Sequence, residues 1–376
     1  MIYLDHHAAT PPCEAALVAM EAAREVGWAN PASVHAAGRA ARAQLEDGRR
    51  AVAAAIGAEP SDVVLTSGGT EACNLAIRGV AVGRGGKLIT TAVEHPAVDE
   101  PLARVAGDTG STLIRMPVPA GIAPDAGALA REIDRDTRLV CAQWVNHETG
   151  SVLPVADYAR VCRDRGVPLF VDATQALGKL PLCVRELGAD LVALASHKAG
   201  GPAGAGALWV ARGVELSPLM LGGGQERGRR AGSPDVLSVV GFGAACGVLA
   251  ARLGAQGRIR RRRDRLEVAL TELGGQVNGA GGERCATVTN VSFEGRRGEL
   301  LVAALDLLGV CASSGAACSS GLAEPSPVLL AMHGDQRWRA KSSVRFSLGP
   351  QTSDIDIENT ISACRRALES GGAGPS

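Results

Sequence analysis

The chain has 376 residues, 46% of them hydrophobic, and 39 Lys plus Arg balance 39 Asp plus Glu. This is enough apolar sequence for a large buried core and about two or three domains. A formal net charge of zero gives no reason to expect a membrane surface or direct nucleic-acid binding. The amino terminus, Met-Ile-Tyr-Leu-Asp-His-His, has neither a basic start nor a long apolar stretch, so no signal peptide is expected. No window approaches the ~18 uninterrupted apolar residues of a membrane span. Ten cysteines are scattered without CxxC pairs. That usage suits a reducing cytoplasm and argues against a disulfide framework or a zinc finger.

From about residue 60, short apolar runs alternate with amphipathic stretches. Val63–Thr66, Lys87–Thr90, Thr112–Met116, Leu139–Val145, Leu169–Val171 and Leu191–Leu194 read as strands. Residues 71–82, 95–106, 125–133 and 155–165 read as helices between them. Strands separated by helix-length segments predict βαβ units and a mostly parallel sheet with helices on both faces. Ligands of such sheets bind beyond the carboxyl ends of the strands. A long helical stretch follows at about 234–254, and another begins near Arg258. Its basic run, Arg258 to Arg263, precedes Leu266 and Leu270 at helical spacing. It reads as a solvated helix face, with a basic docking patch as the other reading. Strand Thr287–Phe293, helix Gly298–Leu307, strand Val310–Ser313, a loop, strand Ser343–Ser347 and helix Ser353–Leu368 complete a smaller α+β unit. The break falls near Gly254–Gly257, so residues 15–255 form a large domain, and 1–14 with 256–376 a small one.

Several segments after strands carry chemistry. Thr66-Ser67-Gly68-Gly69-Thr70-Glu71 joins a strand to a helix. Its glycines would let backbone N–H groups approach an anion at the helix N-terminus, although such a turn alone is a weak signal. His95 follows the next strand and is structural or catalytic. Asn146-His147-Glu148 binds a ligand or caps a turn. Asp172 ends an apolar strand, where a carboxylate is costly unless it is paired. A protonated pyridine nitrogen is a fitting partner. Lys198 follows the strand Leu191–Leu194, where a desolvated amine serves as a Schiff-base nucleophile. Asp and Lys placed in this way form the constellation that pyridoxal 5′-phosphate (PLP) requires. In the smaller unit, Cys311 continues an apolar strand and reads as a buried small hydrophobe. Cys318 lies among Ser and Gly in an expected mobile loop, where it is a nucleophile or incidental. Arg345 sits inside a strand pattern and needs a carboxylate, for which a substrate is one candidate.

Together these segments resemble the cysteine desulfurases of the NifS/IscS type, class V aminotransferase relatives within the fold-type I PLP enzymes. The resemblance runs nearly end to end. It is carried by Asn30-Pro-Ala-Ser-Val-His35, Thr66-Ser-Gly-Gly-Thr-Glu71, Glu94-His95, Asn146-His-Glu-Thr-Gly150, Val171-Asp-Ala-Thr-Gln175, His197-Lys198, Gly222-Gly-Gly-Gln-Glu226, Ser313-Ser-Gly-Ala-Ala-Cys318 and Val344-Arg-Phe-Ser347. It implies that Lys198 carries PLP as a Schiff base and later shuttles a proton. Asp172 would pair with the pyridine N–H, Gln175 would reach the ring hydroxyl, and His95 would stack on the ring. Gly69, Thr70 and His197 would hold the phosphate, and Ser233 would reach the phosphate of a neighbouring subunit in a homodimer. Asn146 and Arg345 would grip the carboxylate of L-cysteine. Cys318 would take its sulfur as a persulfide, release L-alanine and pass the sulfur to an acceptor protein, as in iron–sulfur cluster assembly. A selenocysteine lyase or a class V aminotransferase on the same scaffold is the alternative.

The sequence departs from the family pattern in places. Ala195 stands where many relatives have Ser, with Ser196 one place later. Ala199 replaces an aromatic, and Ala203 replaces the usual Lys. His6-His7-Ala8 replaces a more usual Asn-containing stretch. No metal site is expected there, because chain neighbours rarely both ligate and no third ligand is evident.

Overall fold

The computed structural model describes residues 1–81, 83, 85–314 and 324–370. The strands in chain order are β1 (Ile2–Tyr3), β2 (Val63–Thr66), β3 (Lys87–Thr91), β4 (Thr112–Met116), β5 (Thr137–Gln143), β6 (Leu169–Asp172) and β7 (Leu191–Ala195). They continue with β8 (Gly206–Val210), β9 (Gln276–Val277), β10 (Val288–Ser292), β11 (Val310–Cys311), β12 (Ser313–Ser314) and β13 (Ser343–Ser347).

The main sheet has seven strands in the order β2-β8-β7-β6-β5-β3-β4. All are mutually parallel except β8, which runs antiparallel to both of its neighbours. Reversing β8 keeps the carboxyl ends of β2, β3, β5, β6 and β7 on one edge. The helices Gly69–Ala81, Pro96–Thr109 and Val155–Arg165 lie between successive strands, as the alternating pattern predicts. Strands β2, β6, β7 and β8 are buried along their whole length, as expected of a sheet covered on both faces. One apolar layer, including Ile89, Val140, Leu169, Val171 and Leu194, packs against the helix Ala36–Ala55 and its neighbours. The opposite layer, including Leu75, Ile77, Leu88, Leu102 and Phe170, packs under Gly69–Ala81 and Pro96–Thr109.

A second, four-stranded antiparallel sheet has the order β12-β13-β10-β9. Its core holds Leu4, Ile259, Leu266, Leu270, Val344, Phe346 and Ile357. The amino terminus joins this region, since β1 pairs in parallel with β11.

Four local features differ from the sequence reading. Gly206–Val210 is a full strand that the Gly-rich punctuation around it concealed. The stretch at 234–254 is broken into helices Val236–Gly247 and Leu249–Gly254, with Val248 departing from helical geometry between them. Arg263 is not on a solvated face: it is buried in helix Gln256–Glu272 and donates to the Cys285 and Val288 carbonyls, each at 3.2 Å. Cys311 is half-buried rather than buried. No described helix is long and apolar enough to cross a membrane.

Candidate active site at the carboxyl edge of the sheet

A cavity of about 300 Å³ opens at the strand ends. Gly69, Thr70, His95, Asp172, Gln175, His197 and Lys198 all line it, so the fold gathers seven of the expected residues. They come from four separate strand ends, which only the sheet order makes neighbours.

Asp172 closes β6 and is almost fully buried; its Oδ1 accepts the Thr174 N–H at 2.9 Å. Lys198 lies in the single 3₁₀ turn after β7, and its Nζ donates to the His7 and Ala8 carbonyls at 2.6 and 2.7 Å. His95 caps the helix Pro96–Thr109, with Nδ1 accepting the Ala97 N–H at 3.0 Å. That bond leaves Nε2 to carry the proton of the neutral ring. Burial holds the His95 pKa below its ordinary value; Asp172 pulls it upward and Lys198 pushes it down. Its ring meets the His147 ring edge-on, with centroids 4.8 Å apart.

The anion cradle is built from backbone. Gly68, Gly69 and Thr70 stand at the start of the helix Gly69–Ala81, whose first N–H groups have no intrahelical partner. A Cβ at Gly69 would lie 2.7 Å from Thr174 Cγ2, so only glycine lets this turn sit against the floor of the cavity. Lys198 lines the same cavity, as does His197, whose pKa burial lowers to about 4 so that its ring is neutral near pH 7. A nearby hydroxyl does not. Ser196 Oγ is buried without a partner among the described residues and faces Gly201, while Ala195 lines the cavity. Strand alternation explains the exchange: moving the hydroxyl by one residue turns it to the other face.

Cavity volume, anion cradle, buried carboxylate and amine together fit a phosphorylated pyridine aldehyde. The residues that would hold PLP are Gly69, Thr70 and His197 at the phosphate, with Asp172, Gln175, His95 and Lys198 around the ring.

The other expected residues lie outside this cavity's lining. Asn146 is fully buried; Nδ2 donates to the Val93 carbonyl at 3.0 Å, and Oδ1 accepts from Glu148, Thr149 and the Thr149 hydroxyl. One amide N–H remains. Arg345 is buried on β13, bonded to Asp5 at 2.8 Å and to the His147 carbonyl at 3.0 Å, with its Nε unpartnered among the described residues. Ser233 is exposed, beside a loop tied to the cradle through Arg230 and Glu71 at 2.7 Å. Cys318 lies outside the described residues.

Three further residues take part: His7 and Glu148, which the sequence reading named without these roles, and Lys179, which it did not name. His7 Nε2 lies 2.9 Å from Thr287 Oγ1, and its carbonyl receives both Lys198 and Gln175. Lys179 is buried and donates to Gln175 Oε1. Glu148, fully buried, lies 3.7 Å from His147 Nε2. The spacing of Lys179, four residues after Gln175, was the one available signal. His6 and His7 have separate surroundings, the first against Tyr3 and Gly349 and the second against Thr287. Among the described residues no group of three His, Cys, Asp or Glu side chains is placed to hold a metal ion.

A mostly parallel sheet with this constellation at its carboxyl edge defines an α/β enzyme scaffold of fold-type I. The chain belongs to the aminotransferase class-V family, whose model matches residues 2–360, and that family is in general PLP-dependent. It is 39% identical to the IscS-like cysteine desulfurase of Mycobacterium tuberculosis, over 99% of this chain and 100% of that protein. A solved NifS-like protein superposes with a TM-score of 0.90 at 29% identity, covering 98% of this chain and 99% of that one. SspA, solved in complex with cysteine, matches with a TM-score of 0.81 at 29% identity, covering 94% of this chain and 100% of that one.

Proposed function

We propose that this chain is a cysteine desulfurase: with PLP it removes sulfur from L-cysteine, releases L-alanine and keeps the sulfur as a persulfide on Cys318. The observation that carries this reading is the convergence of Lys198, Asp172 and His95 on one cavity that also holds an anion cradle. Relatives at 35–39% identity over nearly the full length are named cysteine desulfurases.

When bound, PLP supplies an electron sink for the electron pair left on the substrate α-carbon after its proton is removed. Lys198 Nζ is the base that takes this proton and later returns it, and the carbonyls of His7 and Ala8 orient it. Asp172 would accept the pyridine N–H of bound PLP, in a buried setting where such an ion pair is weakly screened. Arg345, with the remaining Asn146 amide N–H, binds the substrate carboxylate. His95, neutral at physiological pH, offers a hydrogen bond from Nε2 to the substrate sulfur and orients it. The Cys318 thiolate then attacks that sulfur: the new S–S bond forms as the C–S bond breaks, the C–S electrons pass to the substrate β-carbon, and that carbon takes up one proton, equivalent to the one Cys318 gave up as a thiol, to become the methyl of alanine.

Residues 15–255 serve as the PLP-binding domain, and 1–14 with 256–376 as the small domain carrying Cys318. The protein acts as a homodimer in which Ser233 reaches the partner's cofactor phosphate, and it hands the persulfide to an acceptor protein in the cytoplasm. Incubating the purified protein with PLP, L-cysteine and a thiol reductant tests this. Equal yields of alanine and sulfide are expected; consumption of cysteine only with a keto acid present would assign an aminotransferase instead.

A further inference from the structure

We propose that Lys179 is a positioning residue for the cofactor: it fixes the Gln175 side-chain amide so that an N–H, not the carbonyl, faces the cofactor's ring oxygen. This inference rests on the PLP reading above.

The geometry is a short relay behind the cavity. Lys179 and Gln175 are both buried, and Lys179 Nζ donates to Gln175 Oε1. An ammonium has donors and no acceptor, so the amide atom facing it must be the carbonyl oxygen. Gln175 Nε2 in turn donates to the His7 carbonyl at 2.8 Å, the same oxygen that receives Lys198 Nζ at 2.6 Å. One Nε2 N–H then remains, on a side chain that lines the cavity. Without Lys179 only the His7 carbonyl, an acceptor already shared with Lys198 Nζ, still favours this orientation, and the flipped amide would present a carbonyl to an anionic ring oxygen.

Lys179 also shares the wall of a small cavity with Lys198. The charged and titratable groups acting on it are Lys198, Arg345, Arg252 and Cys285, and it in turn presses on His6 and His7. Burial, with Lys198, Arg345 and Arg252 nearby, lowers its pKa to about 7, so below neutrality it is an ammonium that can only donate, and above neutrality it gives up that charge.

The readout is the pH titration of the visible absorbance of the PLP-loaded protein, without substrate. A hydrogen bond to the ring oxygen favours its anionic form and lowers the midpoint. Lys179→Met retains the bulk, removes the donor and leaves no charge to desolvate, at the cost of an unpaired Gln175 Oε1. The midpoint should rise by about one pH unit, the scale of one lost hydrogen bond to a charged group. Gln175→Ala should produce a similar rise, and the double variant no more than the larger of the two. A Lys179→Met midpoint equal to wild type, with only a lower melting temperature, would overturn the proposal. So would additive shifts, which would mean that Lys179 acts through its own charge and not through Gln175. If Lys179→Met yields no soluble protein, Lys179→Leu provides the same reading. Wild-type protein that takes up no PLP and stays colourless would overturn the PLP reading and this inference with it.

Discussion

Ser326 Oγ donates a 2.7 Å hydrogen bond to Glu148 Oε2 across 178 residues of sequence. Glu148 belongs to the turn after β5 that carries His147 against His95. Ser326 caps the helix Pro327–Met332, with Oγ accepting the Leu329 N–H at 3.0 Å. The bond therefore fastens the chain just after the Cys318 segment to the edge of the site. Ser326→Ala should cost about 1–2 kcal/mol, as expected for a lost cap and a hydrogen bond to a carboxylate. Urea denaturation measures it.

Burial raises the Glu148 pKa to about 7, and the Ser326 hydrogen bond opposes that rise. The folded value exceeds the unfolded one, so the group's contribution to stability is full below about pH 4.5 and is lost as pH climbs through 7. Glu94, raised to about 8 chiefly by burial, works in the same direction. Melting of the wild type should therefore become easier from pH 5.5 to 8.5. Glu148→Gln should remove part of that slope, gaining on the order of 1–3 kcal/mol relative to wild type at the alkaline end. Parallel melting curves of the two proteins across this range would contradict the assignment.

His95 combines two roles that different substitutions separate. Nδ1 caps a helix, and Nε2 belongs to the site. His95→Asn keeps a capping side chain and should preserve stability, while kcat falls about 10²- to 10⁴-fold, the usual loss with an acid–base group. His95→Ala should lose the same activity and also about 1 kcal/mol of stability. Steady-state kinetics beside thermal melts distinguish the two.

Lys198→Ala should abolish the borohydride-reducible absorbance and the desulfurase activity together. Cys318→Ala should keep the yellow colour and lose persulfide formation. Mass spectrometry of the protein after one exposure to L-cysteine reads the second result: a gain of one sulfur in wild type and none in the variant. Sulfur release that persists in Cys318→Ala would favour a selenocysteine-lyase type of chemistry.

Arg49 and Glu226 form a bidentate ion pair at 2.6 and 2.7 Å, with both side chains 5% exposed. It holds a loop in which Glu226 and Arg227 have φ of 47° and 57°, a strained region for residues with a Cβ. Glu226→Ala leaves the buried guanidinium with only Glu46 and the Val63 carbonyl as partners and should cost up to about 3 kcal/mol, less than a buried charge left wholly unpaired. Chemical denaturation would register it as a lower midpoint with an unchanged slope.

By itself the sequence determined the α/β class, the chain order of strands and helices, and the residue types at each strand end. Periodicity and turn chemistry are local, so Asp172, Lys198 and the turn at Gly69 could be read as chemistry-bearing before any fold was known. Tertiary structure alone decided which of them meet. The order β2-β8-β7-β6-β5-β3-β4 places the ends of β2, β3, β6 and β7 around one cavity, and the antiparallel β8 makes that possible. It also decided which face each side chain takes: Ser196 points away where Ala195 points in, and Asn146 turns to Val93. The relay of Lys179, Gln175 and His7 joins parts of the chain 168 residues apart. Such long-range hydrogen bonds depend on where folding brings backbone carbonyls, and a linear pattern of residue types does not encode that.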